Sequence, residues 1–128
     1  MPRRPPDAAA PLERVRALCL ALPEAHEQEA WGEPTFRVRN KLFAMFADAS
    51  THHGKGIDGL WIKSTYVNQD LLVRADADRF FVPPYVGPSG WVGVRLSGDP
   101  DWEVIADLLR DGWRLVAPKK LHARLAES

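Results

Sequence analysis

The chain of 128 residues holds a single cysteine, Cys19, so neither an internal disulfide framework nor a zinc site built on cysteine pairs is open to it. Long hydrophobic runs are missing as well. None approaches the roughly 20 residues that a membrane span requires. Nor is there an excess of charge of one sign. Seventeen basic residues balance seventeen acidic ones, for a formal net charge of zero. That balance argues against strong, general nucleic-acid binding, which runs on excess positive charge. The opening MPRRPPDAAAP has two arginines but no apolar stretch behind them, so it reads as a Pro/Ala-rich flexible tail over residues 1–10 rather than a secretory signal. With 45% hydrophobic and 27% charged residues, positions 11–128 form a single domain with a real core, and a cytoplasmic protein is the simplest expectation.

Periodicity outlines the elements. PLERVRALCLAL, residues 11–22, repeats its apolar positions at helical spacing, with Pro11 suited to the first turn and Pro23 closing the run. Cys19 falls in the apolar stripe as a buried structural thiol. TFRVR, residues 35–39, alternates as a strand, and a tight connection at Asn40 and Lys41 leads into LFAMFA, apolar on both faces and hence central in a sheet. Residues 60–65 and 91–96 read as further strands. A short helix is expected from Asn68 to Ala75 with Asn68 as its cap, then a helix capped by Asp101, and a last one opened by Pro118. Strands and helices do not alternate regularly. The pattern therefore predicts an α+β fold, an antiparallel sheet with helices packed on one face.

Most motif-like strings fail on context. Gly54-Lys55-Gly56-Ile57-Asp58-Gly59 spells G-x-G-x-x-G, but a strand rather than a helix follows, so a dinucleotide fingerprint is not expected. His52 and His53 sit in the polar, Gly-rich stretch 48–59 with no third fixed ligand beside them, and that stretch reads as a mobile, metal-free loop. No metal site or cofactor is expected. HEQEA, residues 26–30, lacks the second histidine of a zinc-protease helix, and the single cysteine excludes the zinc-deaminase signature. No catalytic triad, P-loop or defined carboxylate pair is visible. Glu24, Glu27, Glu29 and Glu33 form an acidic run of the kind found on solvated edge strands.

Two surfaces carry the functional expectation. With Phe36, Val38, Leu60, Ile62, Val92, Val94 and Leu96 facing the helices, alternation sends Arg37, Arg39, Trp61, Lys63, Trp91 and Arg95 to the other face. Basic residues interleaved with tryptophan suit stacking and phosphate contact. They suit equally a surface where arginines simply cover the rings. Residues 110–124 add Arg110, Arg114, Lys119, Lys120 and Arg124 against Asp111. The segment FFVPPYVGPSGW, residues 80–91, crowds two Phe, a Tyr, a Trp, three Pro and two Gly together. It either completes the core or rims a binding pocket, and the reading here is that Phe80 and Phe81 anchor it while the tip from Tyr85 to Ser89 stays free.

WGEPTFRV, KLFAMF, RFFVPPYVGPSGWVGVRL and DWEVIADLLRDGWRLVAPKKL, spread across residues 12–125, resemble the MmcQ/YjbR family of small bacterial proteins. The resemblance implies a frataxin-like (CyaY-like) α+β fold and, from the family's common description, DNA binding by a double-wing arrangement. It implies no catalytic residues. The leading expectation is thus a non-enzymatic domain that binds DNA weakly through Arg37, Arg39, Lys63, Arg95, Lys119 and Lys120. The alternative is a small-molecule or protein-binding module whose pocket is rimmed by Phe80, Phe81, Tyr85 and Trp91.

Overall fold

The computed structural model describes residues 10–127; apart from Ala10, the N-terminal tail expected at residues 1–10 lies outside them. In chain order the elements are α1 (Pro11–Leu20), β1 (Ala25–Ala30), β2 (Glu33–Val38), β3 (Lys41–Ala47), β4 (Gly59–Ile62), α2 (Tyr66–Ala75), β5 (Phe80–Phe81), β6 (Val92–Arg95), α3 (Trp102–Val116) and α4 (Lys119–His122). The strands form an antiparallel sheet of order β1-β2-β3-β4-β6-β5. The chain has the expected α+β architecture, with helices on one face of the sheet. Among the described residues no helix is long and apolar enough to cross a membrane.

Two hairpins build the first half. Ala30 pairs with Glu33 across a two-residue turn, Trp31-Gly32, and Val38 pairs with Lys41 across Arg39-Asn40. All four turn residues have positive φ, between 49° and 77°. That is the mirror-image turn whose twist matches the flanking strands. The second turn lies one residue earlier than expected, because Lys41 already pairs with Val38. A bulge between Phe36 and Arg37 lets Phe43 turn inward beside Ala44, and Phe43 to Ala47 are buried throughout. The central position expected for this strand is what the structure shows.

The helices cover the face carrying Phe36, Val38, Phe43, Phe46, Leu60, Ile62, Val92 and Val94, against Val15 and Cys19 of α1 and Ile105, Leu109 and Trp113 of α3. The Asp101 carboxylate caps α3 by accepting from the Val104 N–H at 3.2 Å. Gly112 brings α3 onto the sheet: a β-carbon there would stand 2.8 Å from the Lys63 carbonyl oxygen. Strand β4 ends at Ile62, three residues before the expected end. Helix α2 consequently starts earlier than expected, and its cap is Thr65, whose hydroxyl accepts from the Asn68 N–H at 3.2 Å. Asn68 is the donor in that cap, not the cap itself, because Thr65 keeps extended backbone angles while Tyr66 is already helical.

Cys19 is fully buried, and that burial pushes its thiol well above its ordinary range. Alkylation by iodoacetamide in mildly alkaline buffer is expected to be negligible in the native protein and complete in guanidinium, read by intact mass. Rapid native labelling would show that α1 opens.

The segment 80–91 closes onto the fold. Phe80 enters the helix-side core, while Phe81, its neighbour along the strand, faces the other way and lies over Gly93. A β-carbon on Gly93 would meet the Phe81 ring at 2.4 Å, so glycine makes that seat. The Gln69 side-chain amide donates to the carbonyls of Gly87 (2.9 Å) and Trp91 (2.6 Å) and ties the loop to α2.

Candidate ligand pocket

On the face away from the helices, alternation along the strands exposes a second apolar patch. Met45 and Ala47 come from β3, Trp61 from β4, and Trp91 from the residue before β6, with Leu42, Phe81 and Val86 packed at their edge. The loop 48–59 folds over one side of it and the loop 82–91 over another. Between them lies a cavity of about 580 Å³ lined by Trp31, Leu42, Met45, His52, His53, Trp61, Tyr85, Val86 and Trp91. Its size and its apolar walls with a few polar groups fit a small-molecule site.

Two rim residues have left-handed backbone angles. Trp31 has φ of 55° and Tyr85 φ of 65°. Bulky residues rarely adopt the left-handed region, and each such placement costs about 1–3 kcal/mol. Both residues stay largely in solvent, 68% and 74% exposed. For Trp31 the angle is the one its hairpin turn requires; for Tyr85 it falls in the loop at the cavity mouth.

The polar end is a buried carboxylate–imidazole pair. Glu33 is fully buried at the start of β2. Its carboxylate accepts from the Asp48 N–H at 3.3 and 3.2 Å and from the Thr51 hydroxyl at 2.7 Å, and meets His53 Nδ1 at 3.0 Å. The His53 side chain is 7% exposed. The His52 ring lies against it at 3.9 Å between centroids, and the Trp61 ring is edge-on at 5.7 Å. Trp61 Nε1–H is buried without an acceptor among the described residues, a penalty of about 1–3 kcal/mol held inside the site. Further contacts pin the same loop: Asp58 accepts from the Ala49 N–H at 2.8 Å, and Asp48, its carboxyl held low by hydrogen bonds from the Ser50 hydroxyl and N–H, turns the chain. The loop expected to be mobile and solvated is therefore folded onto the sheet, because Glu33 gives it a buried acceptor to close on. Among the described residues no group of three or more His, Cys, Asp or Glu is arranged to hold a metal ion.

The residues singled out from sequence are distributed as follows. Tyr85 and Trp91 line the cavity. Phe80 does not, since it points into the helix-side core, and Phe81 lies under Arg95 with the guanidinium carbon 4.9 Å from its ring centroid. Arg95 also donates to the carbonyls of Ala77 and Asp78 at 3.0 and 3.1 Å. Arg37 bonds Thr35 and Asn40, both at 3.2 Å. Arg37 and Arg95 sit on strands separated by β3 and β4, roughly 14 Å apart by strand spacing alone. Arg39 is in a turn, paired with Glu24 at 3.1 Å, and Arg124 reaches the same carboxylate at 3.5 Å. These partners, with Lys120 nearby, hold the Glu24 carboxyl below its usual range. Lys63 follows β4 and is partly buried; Lys119 and Lys120 are exposed on α4. The apolar wall of the cavity thus stands between the two sheet arginines.

In the sequence His53 stands beside His52 only as a rejected metal ligand and Glu33 only as part of an acidic run; nothing there pairs the two. Extending the alternation of Arg37 and Thr35 back by two residues places Glu33 on the same face, a signal that the acidic run obscured. His53 carried no such signal, because the loop path that delivers it is set by tertiary contacts.

Solved structures of similar fold include Deinococcus radiodurans protein DR2400, which carries the DUF419 domain, at 21% identity and a TM-score of 0.71, covering 90% of this chain and 87% of that one. A Pseudomonas syringae protein matches at 16% identity and a TM-score of 0.66, covering 85% of this chain and 100% of that one. At these identities the likeness is one of fold. A comparison with curated proteins finds no match. The YjbR family model matches residues 20–115, most of the chain, with both hairpins, the aromatic loop and nearly all of α3, and on that match the chain belongs to the YjbR family.

Proposed function

We propose that this protein binds a small, flat, largely apolar molecule in the cavity on the open face of its sheet. The observation that carries this reading is the cavity of about 580 Å³ walled by Trp61, Trp91, Met45 and Leu42 and rimmed by the exposed Trp31 and Tyr85. DNA binding has one feature in its favour. Lys119 and Lys120 are exposed together in the first turn of α4, where the helix dipole disfavours cations. Against it, Arg37, Arg39 and Arg95 are each engaged with protein partners, and the six basic positions form no continuous stripe along the sheet.

Titration with 2-methoxynaphthalene, followed by amide and indole NMR signals, tests the pocket. Saturable shifts are expected at the indoles of Trp31, Trp61 and Trp91. Tyr85→Ala is expected to weaken binding about tenfold, or ~1.4 kcal/mol, through lost aromatic contact. The double variant Lys119→Glu, Lys120→Glu should leave it unchanged. Absence of saturable shifts would sink the pocket reading. A parallel titration with duplex DNA decides the other reading: binding that weakens with salt by about 0.9 per neutralised phosphate, and is lost in the double lysine variant, would favour DNA.

A further inference from the structure

The polar end of the cavity narrows what it takes. A carboxylate accepts hydrogen bonds and has no proton to donate. Glu33 Oε2 lies 3.0 Å from His53 Nδ1, so Nδ1 carries the hydrogen and donates it. In the neutral ring the lone pair then resides on Nε2. No described residue hydrogen-bonds that nitrogen, and His53 lines the cavity. The Glu33 bond sets which of its two nitrogens the ring turns toward the loop interior. The His53 main-chain N–H is held by the Thr51 hydroxyl at 3.2 Å, and His52, Trp61 and Tyr85 lie around the ring with centroids 3.9, 5.7 and 6.3 Å away. His53 lines the cavity, so the nitrogen its neutral ring can offer there as an acceptor, among aromatic walls, is Nε2. No charged carboxylate, ammonium or guanidinium lines it.

Resting on the pocket reading above, we propose that the ligand is a planar aromatic molecule carrying one hydroxyl of the phenol type, and that His53 Nε2 accepts the hydrogen of that hydroxyl. The aromatic body suits the tryptophan and tyrosine walls. A neutral donor suits a cavity with no cation to offset an anion. A cationic ligand would find the Glu33 carboxylate already occupied by three protein donors. Glu33 acts as a positioning residue, fixing which nitrogen of His53 faces the ligand, in the way outer-shell carboxylates fix the histidines of metal sites.

The test compares 2-naphthol with 2-methoxynaphthalene, which differ in the donor hydrogen, on the full chain. Ring-nitrogen NMR of the wild-type protein is expected to show Nδ1 protonated and Nε2 bare. Only 2-naphthol should move the Nε2 signal. The hydroxyl is expected to improve affinity about tenfold. In His53→Phe, which keeps a ring and removes the acceptor, the two compounds should bind alike. The wild-type nitrogen spectrum decides the matter even if that variant folds poorly. Equal affinities with Nε2 unmoved, while the Trp61 and Trp91 indoles shift, would overturn the hydroxyl proposal and leave the pocket standing. No indole shift with either compound would overturn both. Protonated Nε2 in the free protein would overturn the acceptor assignment outright.

Discussion

Glu33→Ala is expected to destabilise the protein by about 2–6 kcal/mol, about 1–3 kcal/mol for each of two buried donors that lose their acceptor. The substitution leaves the Asp48 N–H and His53 Nδ1–H without an acceptor in a site that water does not reach freely. The Thr51 hydroxyl retains an alternative, the Asp48 carbonyl oxygen at 2.9 Å. Glu29→Ala is the matched control: the same residue type in the same acidic run, but exposed on the edge strand β1, and expected to change stability by no more than about 0.5 kcal/mol. Urea unfolding of the two variants measures the contrast. Equal midpoints would mean that the loop 48–59 does not depend on Glu33. The same variant releases His53 from its fixed orientation, so its histidine ring signals should report a mixture of tautomers.

Trp113→Ala is expected to cost about 3–5 kcal/mol, the range for deleting a large buried aromatic. Trp113 is fully buried on α3, packs beside His122 of α4 with ring centroids 5.5 Å apart, and donates from Nε1 to the Pro23 carbonyl oxygen at 2.9 Å. It therefore joins α3, α4 and the turn after α1. Trp113→Phe keeps much of the ring and removes that donor, with an expected loss of about 1–3 kcal/mol from the carbonyl left unpaired and the partial cavity. Thermal or urea unfolding should rank wild type above Trp113→Phe above Trp113→Ala. Pocket binding should survive in the folded fraction, because Trp113 lies on the opposite side of the sheet from the cavity.

The family reading and the α+β architecture were legible from particular strings. WGEPTFRV and KLFAMF hold the two hairpins, and the Asp101 cap and the helical spacing of DWEVIADLLRDGW define α3. Strand ends were less legible. LWIKST continues a strand-like composition beyond Ile62, but the β6 ladder stops there and on the β3 side the Lys63 N–H bond to the Phe43 carbonyl at 2.9 Å lies past the last ladder pair, so the strand ends. Phe80 and Phe81 were grouped by composition as one anchor. Neighbouring strand residues point to opposite faces, so one entered the core and the other the open side.

By itself the sequence determined local periodicity, the faces of the strands, the Asp101 cap of α3 and the Pro11 start of α1, and the exclusion of disulfides and cysteine-based zinc sites. These follow from interactions within a few residues of chain, or from composition alone. Only the tertiary structure decided that Glu33 is buried and that His53, 20 residues away, closes on it; that Trp31 and Tyr85 stand at one cavity mouth; and that Arg37 and Arg95 lie apart. A charged residue in an acidic run and a histidine in a Gly-rich loop carry no periodic mark of burial. Their environment is set by which distant segment folds over which face, and that is fixed by packing across the sheet rather than by neighbours along the chain.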